Sequence, residues 1–435
     1  MPPASTDILI RGGRVVDPSQ ELDREADVLI REGRVAEVGR GLAAGAARVV
    51  EAGGKIICPG LMDVHVHLRE PGEEHKETIR TGTRAAVAGG LATVCGMPNT
   101  QPRLYSEDIL RDLERRTECD AACNVVPIAW AGATLYGGWE ELARVLKGAH
   151  GGRASDDGDP IQDREQLRQV LQACAEADAL FIAHCECKRL APEGWVMNAG
   201  ETAEELGVGG LPAAAEVEAA EQLVEVAQGV GARVHVAHVS AKETAEVIRT
   251  AQRRGVKVTA EACPHHFTLT EEAVREHGAN AKMSPPLRGP EDVEAIKEAL
   301  ADGTIEVIAT DHAPHAPAEK AQGLLAAPFG VVGLETCVGL VFDELVHGGV
   351  LNLSEAIAKM TVNPARALGL PGGTLAIGAP GDVTVIDPDA EWTVDPDSFE
   401  SKGRNTPFAG RKLRGKPFAT VVGGRLRMRD GQILD

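Results

Sequence analysis

The 435-residue chain is poor in aromatic side chains, 3% in all, with two Tyr, four Trp and seven Phe. Its interior must therefore be built mainly from Val, Leu, Ile and Ala. Basic residues are short too: 45 Lys and Arg against 65 Asp and Glu leave a formal charge of −20. A surface of that sign argues against wrapping phosphate backbones and against docking on acidic lipid, so neither nucleic acid nor membrane is an expected partner. No C-x-x-C pair occurs among the nine Cys, the count is odd, and Cys58, Cys95 and Cys174 fall inside apolar runs. That pattern excludes a disulfide framework and predicts buried free thiols. Long apolar runs are missing as well, since the most apolar long window, 323–342, is broken by Pro328 and Glu335. No transmembrane helix is predicted from it. The start, MPPASTDILIRGG, lacks a basic region followed by an apolar stretch, so no secretory signal is predicted. The expectation is a soluble cytoplasmic protein.

What the chain does have is patterning. Residues 7–57 read as short alternating β runs separated by Gly, Asp and Pro turns, and the end of the chain, from GDVTVIDPDAEW to KPFATVVGGRLRMRDGQ, does the same. Between them, apolar strands alternate with helical stretches such as DREQLRQVLQACAEA and AAAEVEAAEQLVEVAQ. Such alternation over about 300 residues predicts a parallel α/β fold, a (β/α)8 TIM barrel. Eight candidate strands follow in order: LMDVHVHL, ATVCGMPN, NVVPIAW, GGRASDDG, ALFIAHC, RVHVAHVS, KVTAEACPHH and EVIATDHAPH. The expected organisation is a barrel over 59–372 inserted into a small β-sandwich domain formed by 1–58 and 373–435.

Metal-competent residues collect at the ends of these strands. His65 and His67 close the first, Asp157 follows the fourth, and His184, His238 and Asp311 end the fifth, sixth and eighth. Barrel active sites form at the C-terminal ends of strands, so these residues can converge although far apart in sequence. His65 and His67, two apart on a strand, point to one face and can reach one ion. His235 and His238 have opposite parity, and His238 is favoured because it ends its run. Asp156 and Asp157 also have opposite parity, and only one of them can be the ligand.

Four His and two Asp exceed the three protein ligands typical of one catalytic zinc, and suit two ions sharing a bridging oxygen. Two divalent ions, two aspartates and a hydroxide leave about one positive charge, fit for an anionic substrate. Asp311 beside the bridge would take a proton from the water and return it to a leaving nitrogen, which amounts to hydrolysis of an amide or its reverse. Arg69, two residues past His67, offers a fork matched to a carboxylate. Asn99 in MPNT and His315 in DHAPHAP are further substrate contacts, and 313–330 reads as a mobile lid. His75, His150, His277 and His347 are read as solvated, and His265 and His266 as packing or supporting groups. Cys185 and Cys187 are read as free thiols.

With these residues assigned, the chain resembles the amidohydrolase superfamily and, within it, the bacterial type I dihydroorotases. The segments that carry the likeness are PGLMDVHVHLREPG (59–72), GMPNT (96–100), SDDG (155–158), AHCE (183–186), VAHVS (236–240), CPHHFTLT (263–270), KMSPPLR (282–288), ATDHAPH (309–315), APFGVVGLET (327–336) and KGRNTPFAGRKLRG (402–415). The resemblance implies the reversible cyclisation of N-carbamoyl-L-aspartate to dihydroorotate. It also implies two Zn2+, one held by His65, His67 and Asp157 and the other by Asp157, His184 and His238, with Asp311 as general acid/base. Substrate would meet His67, Arg69, Asn99, Ser284, His315, Phe329 and Gly330. A homodimer fits the family, and a complex with aspartate transcarbamoylase is compatible with it. Ser284 stands where many members carry Asn, Cys187 where an acid is common, and His150 and Arg153 where strand four is usually apolar. Hydantoinase-like relatives bridge their metals with a carboxylated lysine on strand four, but 149–158 contains no Lys, and allantoinases place Asn where Arg69 stands. A non-catalytic scaffold subunit would have lost metal ligands, and all six are present.

Overall fold

A computed structural model describes residues 7–148 and 152–434, so His150 lies outside the described residues. Five strands open the chain: β1 (Ile8–Asp17), β2 (Leu22–Arg31), β3 (Arg34–Gly39), β4 (Arg48–Glu51) and β5 (Ile56–Pro59). Four close it: β17 (Val383–Thr393), β18 (Lys412–Val422), β19 (Arg425–Arg429) and β20 (Gln432–Ile433). They form one nine-stranded sheet in the order β20-β19-β18-β17-β5-β1-β2-β3, with β4 beside β1. The antiparallel β5–β17 pair joins the two chain ends. The strands of the expected small β domain are thus joined in one continuous hydrogen-bonded sheet. Its two halves still share an apolar cluster, where Ile10, Val28 and Val35 meet Val383, Ala419 and Val421.

Between these halves the strands are β6 (Leu61–Val66), β7 (Leu91–Gly96), β8 (Asn124–Pro127), β9 (Ala129–Trp130), β10 (Arg153–Ser155), β11 (Leu180–Ala183), β14 (Arg233–Val236), β15 (Val258–Ala262) and β16 (Val307–Ile308). A separate pair, β12 (Trp195–Asn198) and β13 (Gly209–Leu211), is inserted after β11. The ladder runs parallel from β6 through β7 to β8 and, past Ile128, from β9 through β10, β11, β14 and β15 to β16. A parallel bridge from His312 to Val66 links its last member back to its first. Residues from strands distant in that order, Met62, Cys95, Ile182 and Val307, share one buried cluster. This is an α/β fold.

Helices connect the strands because their sequences alternate at helical spacing between capped ends. Asp163 accepts from Gln166 N and starts the helix Arg164–Glu176, which buries Leu167, Val170, Leu171 and Cys174 on one face. Among the described residues no helix is long and apolar enough to cross a membrane.

Asp17 ties the end of β1 to the segment that leads into β17. Fully buried, it accepts from Ser19 N at 2.9 Å, Gln20 Nε2 at 2.6 Å and Leu375 N at 2.6 Å. Asp17→Ala would strand these donors, so it should cost about 2–4 kcal/mol. The urea midpoint of unfolding measures this, and a shift worth less than about 0.5 kcal/mol would show the carboxylate to be dispensable.

Candidate metal centre and active site

The strand ends bring the six expected ligands together. One ligand atom each from His65, Asp157 and His238 lie within 4.8 Å of one another, and so do those of His65, His67 and Asp311. Asp157 is central: its Oδ1 stands 3.5 Å from His65 Nε2, 3.6 Å from His184 Nδ1 and 3.7 Å from His238 Nε2, and its Oδ2 is 3.7 Å from His67 Nε2. Asp311 Oδ1 is 3.0 Å from His67 Nε2 and 3.5 Å from His65 Nε2. His238, Asp311 and Arg69 have φ of 34°, 47° and 60°, a left-handed conformation that non-glycine residues hold only where the surroundings enforce it.

The tautomers show that these residues fit a cation. His65 Nδ1 donates to Glu261 Oε1 at 2.6 Å, which leaves Nε2 a lone pair that faces two carboxylates and has no hydrogen-bond partner. His67 Nδ1 donates to Asn99 Oδ1 at 2.9 Å, and its Nε2 stands 3.0 Å from Asp311 Oδ1, a separation that needs a proton or a metal ion between them. Lone pairs opposed to carboxylate oxygens repel unless a proton or a metal stands between them. In the protein alone protons fill that role. Burial pulls His184 down, but the Asp157 and Glu186 carboxylates outweigh it and carry the ring to about 10. Burial pushes Asp157 up, and the imidazoles of His184, His238 and His65 around it reverse this, holding it well below the usual carboxylate range.

Neighbouring acids fix the ligands. Asp156 points away from the cluster, accepting from His184 N at 2.9 Å and Ile161 N at 3.1 Å. His235 bonds Thr259 Oγ1 and Glu261 Oε2 instead of joining the cluster. Cys185 is buried, and Cys187 Sγ turns toward Glu218 at 3.6 Å. His265 and His266 are buried beside Cys263, and His266 Nε2 donates to Pro285 O at 3.0 Å. His347 is exposed, His277 half-buried, and His75 lies on the surface 3.6 Å from Glu319.

A cavity of about 360 Å³ opens on the cluster and is lined by all seven expected substrate residues, His67, Arg69, Asn99, Ser284, His315, Phe329 and Gly330. Arg69 is buried, with Nε donating to Pro314 O at 3.2 Å. Asn99 is committed on both sides, since its Nδ2 also donates to Asp157 Oδ2 at 3.0 Å. Ser284 Oγ lies 3.4 Å from Glu186 Oε2, and His315 Nε2 donates to Phe329 O at 2.7 Å. The ends of the segment 313–330 line the cavity through Ala313, His315, Phe329 and Gly330, and between them lie two short helices, Pro317–Lys320 and Gly323–Ala326. Lys320 Nζ holds it by donating to Pro328 O at 3.0 Å and Gly330 O at 2.9 Å.

Sequence reasoning missed Glu186, Lys188 and Trp195 in the cavity wall and Glu261 beneath the cluster. Trp195 packs on Phe329 with ring centroids 4.4 Å apart. Only Glu261 carried a signal, as a lone acid inside the apolar strand VTAEA.

Residues 56–427 match the model of the amidohydrolase family. The chain belongs to that family. Within it, the chain is similar to curated proteins named dihydroorotase. One from Pelotomaculum thermopropionicum is 49% identical over 97% of this chain and 99% of its own length. Another, from Trichlorobacter lovleyi, is 47% identical over 96% and 98%. Among solved structures, an L-hydantoinase (dihydropyrimidinase) from Arthrobacter aurescens superposes with a TM-score of 0.90 at 25% identity, covering 99% of this chain and 97% of that one. A D-hydantoinase (dihydropyrimidinase) from Thermus sp. gives 0.87 at 24%, covering 98% and 96%, a likeness of fold.

If Glu261 orients His65, Glu261→Gln should weaken metal binding about 10–100-fold. Competition against a chromophoric chelator measures this without reference to activity, and unchanged affinity would remove Glu261 from the site.

Proposed function

We propose that the chain is a dihydroorotase, catalysing the reversible cyclisation of N-carbamoyl-L-aspartate to (S)-dihydroorotate and water in pyrimidine biosynthesis. The near-full-length match to proteins of that name, at 46–49% identity, carries the reading. The cavity suits it, because a buried guanidinium and a metal-competent cluster face the same small space. The ladder order and the Val66–His312 bridge support a closed (β/α)8 barrel over 59–372, set into a small β domain from 1–58 and 373–435. A homodimer in the cytoplasm is the assembly that goes with this reading.

Two Zn2+ would be held by His65, His67, Asp157, His184 and His238, with Asp311 adjoining, and such ions supply Lewis acidity toward a carbonyl and acidify water. The remaining work belongs to the chain's own groups. Arg69 pairs with the carboxylate of dihydroorotate and sets the ring amide toward Asp157 and Asp311. Burial pushes Asp311 up, but His67 and the other imidazoles hold it well below the usual carboxylate range, so it is ionised and able to accept a proton. In hydrolysis a bond forms between water oxygen and the ring amide carbon. Asp311 takes one water proton and delivers it to the ring nitrogen as the C–N bond breaks, leaving a ureido group and a carboxylic acid whose proton passes to solvent to give the carboxylate. Cyclisation retraces these steps.

The hydantoinase reading rests on likeness of fold, and 149–158 supplies no lysine to carry a bridging carbamate. Ring opening of dihydroorotate, followed by ultraviolet absorbance with zinc-stripped and zinc-restored protein and with hydantoin and allantoin in parallel, separates the two. Zinc-dependent turnover of dihydroorotate alone is expected, whereas turnover of hydantoin alone would replace this reading. Asp311→Asn should lower kcat about 10²–10⁴-fold. Arg69→Gln should mainly raise KM, by about 10–100-fold, the value of a charge-assisted bond to a carboxylate.

A further inference from the structure

The segment KGRNTPFAG (402–410) lies in the connection between β17 and β18, and the reaction above does not use it. It nevertheless reaches the rim of the cavity. Ser401 Oγ donates to Glu77, a buried carboxylate that also faces His312 Nε2 at 3.4 Å. Asn405 follows, 2% exposed, with both polar atoms of its side chain engaged. Its Nδ2 donates to the carbonyls of Ala313 and Gly330, each at 3.0 Å, and its Oδ1 accepts from the His315 amide at 3.1 Å. Its main-chain oxygen accepts from Val332 N at 2.9 Å.

Side chain and main chain of Asn405 thus fasten two stretches, 313–315 and 330–332, which are themselves joined by Ala313 N donating to Val331 O at 2.8 Å. These stretches carry His315 and Gly330 in the cavity wall, with Phe329 adjoining. The position needs two donors aimed at carbonyls and one acceptor aimed at an amide, which a short carboxamide provides. A carboxylate of the same shape would keep the acceptor and set an oxygen against two carbonyl oxygens. Gly330 allows no looser packing, since at φ 133° a Cβ would stand 2.7 Å from Ala313 Cβ.

The geometry points to Asn405 as a positioning residue: from the C-terminal segment it fixes His315 and the Phe329–Gly330 peptide against substrate, and so sets substrate affinity. Its kinetic consequence rests on the proposed dihydroorotase reaction, while its structural consequence rests on the contacts alone.

Asn405→Asp keeps the shape and Asn405→Ser shortens it, and the second carries the comparison if the first does not fold. Both are compared with the metal-loaded wild type in dihydroorotate hydrolysis and in amide hydrogen exchange. KM should rise at least about tenfold, the order of a lost buried hydrogen bond, with kcat within about threefold and metal content unchanged. Exchange should quicken in 313–316 and 329–332 and nowhere else in the barrel. Added to His315→Ala, Asn405→Asp should raise KM by less than about threefold more, because it acts largely through that residue. A lower melting temperature with KM and local exchange unchanged would mean a merely structural role and overturn the proposal. Should the wild type turn over no dihydroorotate, the dihydroorotase reading fails, and local exchange alone then decides whether Asn405 orders the rim.

Discussion

Asp157 is the point on which the architecture turns. One buried carboxylate lies 3.5–3.7 Å from four imidazoles, those of His65, His67, His184 and His238. Leaving such a group without compensating charge would cost several kcal/mol, so the imidazoles must be protonated or share a cation with it. The chain settles this by fixing the tautomers. Glu261, in β15, accepts a hydrogen bond from His65 Nδ1, and Asn99, beyond β7, accepts one from His67 Nδ1. Both rings then turn Nε2 toward the carboxylates, where a proton or a cation must stand between nitrogen and oxygen.

A ring of acids below the cluster extends the same logic to the backbone. Asp63 accepts from His65 N and Thr310 N, joining the first strand to the approach of Asp311. Asp156 accepts from His184 N, and Glu261 accepts from His238 N at 3.2 Å. Each acid accepts from a main-chain donor at or next to a ligand, so ligand positions depend on neighbouring strands as well as their own. The substrate side of the cavity is built differently. There main-chain carbonyls are held by Lys320 and Lys282, and Lys282 Nζ also lies 4.6 Å from the Phe329 ring centroid.

Much of this was legible in the sequence, because strand ends are where a parallel α/β fold gathers chemistry. His65, Asp157, His184, His238 and Asp311 announce themselves as polar residues terminating apolar runs. Groups that act by cross-strand contact leave no such mark. Glu186 reads as a loop residue between two Cys, and Trp195 as an isolated aromatic, because β12 and β13 are too short for periodicity to register. How the two end segments join was illegible for a related reason. Alternating runs identify strands, but not that β5 and β17, more than 300 residues apart in sequence, pair to make one sheet. Asn99, expected to touch substrate, lines the cavity and is also bonded to both His67 and Asp157, a commitment only the folded register reveals.

The choice of an aspartate at the centre has its own structural consequence. A carboxylated lysine reaches the middle of a barrel on a long side chain, from a strand that can stand well back. Asp157 has one methylene, so its backbone must be carried inward and held there. The segment around it is built for that purpose: Asp157 N donates to Ser155 Oγ at 3.0 Å, and Asp156 anchors to His184 N and Ile161 N on either side. Gly158 follows at φ 79°, where a Cβ would stand 2.8 Å from Asn99 Nδ2, the atom that donates to Asp157 Oδ2. A side chain at 158 would therefore displace the amide that orients the central carboxylate. S-D-D-G is thus one device: two residues that fix the backbone, one that reaches the cluster, and one whose missing side chain leaves room for the partner that aims it.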